Sequence, residues 1–210
     1  MMLYGTEAGS GLELERLVVE RRSIRSFADT PVSPELVRDL LATALWAPSP
    51  HNSQPWRFTV LFEAGEKARL ADAMADRLAT EMLEDGLDAA TVNNQTARSR
   101  RRISSAPVAI LCSLAHDGLN DFGDARRSAL EWEMAVQSVG AVLQTLFLLA
   151  HERGIGTCWM AAPMYCPEIV REALDLRPEV FPQALVLMGY PALAGKVRAR
   201  RDLDDVVEFR

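Results

Sequence analysis

Cysteine, lysine and nucleotide-loop glycine patterns are what this 210-residue chain has least of. Its three cysteines, Cys112, Cys158 and Cys166, are too few and too scattered for a disulfide framework. None stands in a C-x-x-C pair beside histidines, which argues against zinc or any other metal site. Each is expected to be a small buried apolar residue. No G-x-G-x-x-G and no G-x-x-x-x-G-K-[ST] occurs, so Rossmann and P-loop nucleotide binding find no support. Net positive charge is also lacking. The formal charge of −6 argues against general nucleic-acid binding and favours solubility. The opening MMLYGTEAGSGLELE has neither a basic start nor an apolar run, so no signal peptide is expected. The longest apolar region, Val139 to Ala150, is interrupted by Gln144 and is too short to span a bilayer. The default expectation is a cytoplasmic enzyme or binding protein without membrane partners.

Only Lys67 and Lys196 are lysines; the remaining basic residues are arginine. Arginine suits bidentate contacts with phosphate or carboxylate. Hydrophobic residues at 49% and charged residues at 25% are ordinary for a globular protein, and the length fits one domain.

Periodicity gives a run of elements. LELERLVVERR, 12–22, reads as a helix with Leu12, Leu14, Leu17 and Val18 inward. A second helix starts at Ser33, with Pro34 at its first position and apolar residues at Leu36, Val37, Leu40, Leu41, Ala44 and Leu45. WRFTVLF, 56–62, alternates as a strand. Helices over 65–84 and 88–102 precede a buried strand, APVAILCSL, 106–114. The longest helical stretch, 125–153, is apolar nearly all round its middle and should be central. A short strand at 155–160, a helix at 167–174 and a strand at 183–190 follow. The order ααβααβαβαβ, with no internal repeat and no linker, fits a one-domain α+β layered fold covering 1–210.

Four stretches could carry chemistry. RRSIRSF, 21–27, places Arg21, Arg22, Ser23 and Arg25 at a helix end. One or two of these could simply complement the helix dipole, but three arginines and a hydroxyl in five positions also make a phosphate clamp. APSPHNSQPWRF, 47–58, packs Ser49, His51, Asn52, Ser53 and Gln54 between prolines. Such neutral donors and acceptors suit a polar planar ligand, and prolines such as Pro48 lower the entropy cost of one loop shape. GIGTCWMAAPM, 154–164, is small enough for a ligand to approach its backbone. KVRARRDL, 196–203, offers Arg198 and Arg200 to an anion, while the 99–102 run reads as a separate basic patch.

Taken together and in order, these stretches resemble the FMN-dependent nitroreductase family. RRSIRSF, APSPHNSQPWRF, GAVLQTLFLLAHERGIGTCW (140–159) and GYPALAGKVRAR (189–200) stand where that family has its motifs, and the resemblance runs from about residue 13 to the C-terminus. DGLDAATVNNQTARSRRRISSAPVAIL, 85–111, is similar to the reductase domain of deazaflavin coenzyme F-420 biosynthesis, there fused to a ligase for which this chain has no room.

The resemblance implies a central mixed or antiparallel sheet flanked by helices, with the long helix at the interface of a homodimer that binds FMN. By motif, Arg21, Arg22, Ser23 and Arg25 would hold the phosphate and ribityl chain. Pro48, Ser49, His51 and Asn52, with Ser53 and Gln54 nearby, would come from the other subunit. The backbone at Ala161 and Ala162 would face the flavin N5 edge, and Arg198 and Arg200 would close on the cofactor. Arg98, Arg101 and Arg102, with Arg126 and Arg127, could receive a polyanionic substrate. The implied activity is hydride transfer from reduced flavin N5 to an organic acceptor, with NADH or NADPH as electron donor and no protein nucleophile or general base. The acceptor could be a dehydro precursor of coenzyme F-420. A general nitro or quinone reductase, a flavin-binding protein without turnover and a plain interaction protein are the alternatives.

Overall fold

The structure, a computed structural model, describes residues 11–210; the N-terminal stretch and the side chain of Leu12 lie outside the described residues. Its elements follow the expected order: α1 (Gly11–Glu20), α2 (Pro34–Ala44), β1 (Trp56–Leu61), α3 (Ala64–Glu84), α4 (Ala89–Ser104), β2 (Val108–Ala115), α5 (Ala125–Glu152), β3 (Gly156–Met160), α6 (Pro167–Ala173) and β4 (Val180–Gly189). Local chemistry sets several starts. Ser33 caps α2 by accepting from the Leu36 amide at 3.2 Å, with Pro34 inside the first turn. Asp88 and Asp124 cap α4 and α5 in the same way, each accepting an amide N–H at 2.9 Å.

The four strands lie in the order β1-β2-β4-β3, every neighbour antiparallel. One parallel bridge, Ser23 to Thr157, adds the segment after α1 beyond β3, so the sheet is mixed at that edge. Both faces are covered. Ile110, Cys112, Ala184 and Val186 point towards α2 and α5, while Ala109, Leu111, Leu185 and Leu187 point towards α3, α4 and α6. This double burial explains why β2 reads as an unbroken apolar run rather than an alternation.

Two expectations need correction. The α1 stripe does not turn inward within the chain: Leu14 is 57% exposed, Val18 50% and Val19 62%, and only Leu17 is half-buried. α1 packs chiefly against α5, and among the described residues nothing covers that face. The apolar helix is also longer than its central run. α5 spans 28 residues and is long and apolar enough, by length and composition, to cross a membrane. Its row of Ala135, Val139, Val142, Leu143, Leu146 and Ala150 is instead buried against the sheet.

Candidate functional site

Arginines from three separate segments line one pocket of about 490 Å³. Arg21, Arg22, Ser23 and Arg25 come from the segment after α1, Arg98 and Arg102 from α4, and Lys196, Arg198 and Arg200 from the chain beyond β4. Among the described residues no carboxylate lines it. Alternation in extended chain brings Lys196, Arg198 and Arg200 to one side, and a four-residue helical step aligns Arg98 with Arg102. The 98–102 arginines are thus not a separate patch. Arg101, on the same helix, is rotated to solvent, and Arg100 turns to α3, where it pairs with Asp72 and Asp76. Arg127 is occupied elsewhere, by Asp124 and the Phe122 ring.

Electrostatics in the pocket favour an anion. Burial, then Arg22 and then Arg200, push the Arg21 guanidinium below the usual arginine range. Arg21 Nε is buried and has no hydrogen-bond partner among the described residues. Arg22 does part of what a helix end asks of a cation, donating to the carbonyls of Val19 and Arg21. Lys196 is the lining residue that motif reasoning passed over; its signal was the two-residue spacing from Arg198.

Tight packing sets the position of the arginine segment. The Ile24 amide donates to Thr157 O at 2.9 Å, and the Ile24 side chain lies against Gly156. A Cβ at Gly156 would sit 2.6 Å from Ile24 Cγ1. Gly156→Ala is therefore expected to cost about 1–3 kcal/mol. It should also displace Arg21 to Arg25. A melting curve of the purified variant checks this, and a wild-type melting temperature would refute the packing account.

The polar loop forms at the other edge of the sheet. His51 (φ 52°), Asn52 (φ 54°) and Gln54 (φ 46°) all take left-handed backbone. Each such residue costs on the order of 1–3 kcal/mol unless its surroundings hold it there, and such positions gather at ligand sites. Ser49 supplies much of the hold: its Oγ accepts from the Gln54 amide at 3.0 Å and its carbonyl from the Asn52 amide at 3.1 Å. Ser53 Oγ is buried without a partner among the described residues, while His51, Asn52, Gln54 and Pro48 are exposed.

Within one chain the loop and the arginines do not meet. Four strand spacings separate β1 from Ser23, and the register sets Trp56 and Thr157 at opposite ends of the strands. That places the two groups roughly 19 Å apart across the sheet and roughly 20 Å along it. Ala161 and Ala162 do not join the arginine pocket either. Ala162 lines a separate crevice of about 240 Å³ with Met74, Leu78, Ser99 and Tyr165, and Ala161 is exposed.

The cysteines are buried, as expected, and none is poised as a nucleophile. Burial pushes the Cys166 thiol up to about 11 and raises Cys112 and Cys158 as well. Among the described residues no group of His, Cys, Asp and Glu could hold a metal ion.

A family model described as "Nitroreductase family" matches residues 18–190. The NADH dehydrogenase of Thermus thermophilus is 31% identical, covering 95% of this chain and 97% of its own. The 5,6-dimethylbenzimidazole synthase of Rhodospirillum rubrum is 30% identical, covering 85% and 82%. A nitroreductase-type protein of Desulfovibrio desulfuricans, solved in complex with FMN, is 26% identical and superposes with a TM-score of 0.72 over 98% of both chains.

Proposed function

The chain belongs to the nitroreductase family, and from that premise we propose that it is an FMN-dependent oxidoreductase that reduces an anionic organic acceptor with electrons from NADH or NADPH. One observation carries the reading: among the described residues, eight cationic side chains and no carboxylate converge on a single pocket. The residues fit the cofactor. Arg21, Arg25 and Arg200 suit its phosphate, with the unpartnered Arg21 Nε as one free donor. When bound, the flavin supplies the hydride chemistry, so no protein acid or base is required. The chain's own residues bind, orient and neutralise.

A phosphomonoester carries about two negative charges, which two or three arginines balance. The remaining cations, Arg98, Arg102 and Lys196 foremost, call for a second anion. A phosphorylated or polycarboxylated acceptor meets that need, and a dehydro precursor of coenzyme F-420 is one molecule of this class. A small nitroaromatic or quinone is the second reading. The crevice lined by Ala162, Tyr165 and Met74 favours it, being narrow and largely apolar.

The loop at Pro48 to Gln54 completes the site from a second copy of the chain. Three features support this: the separation of loop and arginines, the apolar face of α1 that no described residue covers, and Trp46, which is 90% exposed beside the loop. The visible spectrum of the purified protein, followed by anaerobic titration with NADPH, tests the proposal. A flavin spectrum bleached by NADPH and restored by an anionic acceptor is expected; a protein that takes up no FMN contradicts it.

The same cation crowding predicts a stability effect. Without an anion, Arg21, Arg22 and Arg200 repel one another. FMN at about a hundred times its Kd should stabilise the flavin-free protein by about 2.7 kcal/mol. For a chain of this size that is a rise in Tm of about 5–10 °C, measurable by a thermal scan.

A further inference from the structure

We propose that the cavity beneath the start of α5 binds a small planar organic cation, an aryl-amidinium or aryl-ammonium. The cavity, about 310 Å³, lies at the end of the sheet that carries the polar loop, between α5 and the turn after β2. Glu131 lines it and is 98% buried, being 2% exposed. Its Oε1 accepts from the Asn120 amide at 3.1 Å, which anchors the turn. Its Oε2 is also removed from water and has no partner among the described residues. Anchoring takes one oxygen. A second carboxylate oxygen, desolvated and undonated, is costly unless something donates to it.

The surroundings say what that donor would be. No lysine or arginine lines the cavity, and the nearby Arg57 and Arg127 are engaged by Asp117 and Asp124. Asp121 adds a second carboxylate. The wall also carries the rings of His116 and Trp132, with centroids 5.0 Å apart, and Phe181 backs both edge-on at 5.1 Å. A buried carboxylate beside aromatic rings complements a planar body bearing N–H groups and positive charge. The volume is at the small end of ligand pockets. A metal ion does not fit: His116, Asp121 and Glu131 line the cavity, but they do not converge into a group that could hold one.

The test uses the FMN-loaded protein and benzamidinium as probe, with benzamide as the neutral isostere, followed by titration calorimetry. Saturable binding of one benzamidinium per chain is expected, at least about tenfold tighter than benzamide. Glu131→Gln keeps the shape and the acceptor for Asn120, and it should erase that preference. Ser128→Phe, at an exposed position on the cavity rim, should abolish binding in a protein whose fold is untouched. It stands as the deciding variant should Glu131→Gln not fold. Absence of saturable benzamidinium binding, or equal binding by wild type and whichever variant folds, overturns the proposal.

Discussion

Replacing Arg21 and Arg200 together with alanine is expected to weaken FMN binding by about 10²–10⁴-fold. A hydrogen bond to a charged group is worth about 1.5–3 kcal/mol, so two such contacts account for that range. Arg21 is the more telling member of the pair. It is half-buried, its Nε has no partner among the described residues, and it is crowded by two like charges. A group held in that state gains more from an incoming anion than a solvated arginine does. The two positions share a ligand, so their effects will not simply add. Fluorescence titration of FMN into the flavin-free variant gives the number directly. A change of less than about threefold would separate the pocket from the cofactor phosphate.

Charge reversal on α4 should have a different consequence. Arg98→Glu/Arg102→Glu leaves Arg21, Arg25 and Arg200 in place but inverts the wall assigned to the second anion. The account expects kcat/KM for a phosphorylated acceptor to fall by about 10²-fold or more, roughly 3 kcal/mol of lost transition-state binding. A neutral quinone should change by less than about threefold. Rapid mixing separates the half-reactions. Loss confined to flavin reoxidation by the anionic acceptor supports the assignment, whereas loss confined to reduction by NADPH moves these arginines to the donor. Arg101→Glu is the internal control, because it lies on the same helix but outside the pocket. It should leave both half-reactions unchanged.

Much of this was legible in the sequence because the relevant rules are local. Ser33 with Pro34 marks a helix start whatever the fold, and apolar runs such as that of β2 mark buried strands. Alternation could also have gathered Lys196 with Arg198 and Arg200, and a four-residue step could have gathered Arg98 with Arg102. What single segments do not contain is their relation in space. That α4 lies beside the segment following α1 is a tertiary relation contained in neither stretch, so the 98–102 arginines read as separate. The apolar face of α1 reads as inward because periodicity reports a face, not its partner; Leu14 and Val18 stay exposed among the described residues. Glu131 was masked by its setting. It sits in phase with Ala135, Val139 and Val142 along a helix that reads as core, and a carboxylate in that phase was the signal available.

Subunit complementation tests the central claim most directly. One variant, Arg21→Ala/Arg25→Ala, keeps its loop but lacks the anion clamp. The other, Ser49→Ala/Asn52→Ala, keeps the clamp but lacks the loop contacts. Each alone should be purified nearly colourless. When the two are co-expressed and associate at random, about a quarter of all sites should combine an intact clamp with an intact loop across a two-fold dimer. The absorbance of bound flavin should recover to that fraction, with NADPH-dependent turnover alongside. A mixture as colourless as its parents, or variants that bind FMN fully on their own, would contradict a site shared between two copies of this chain.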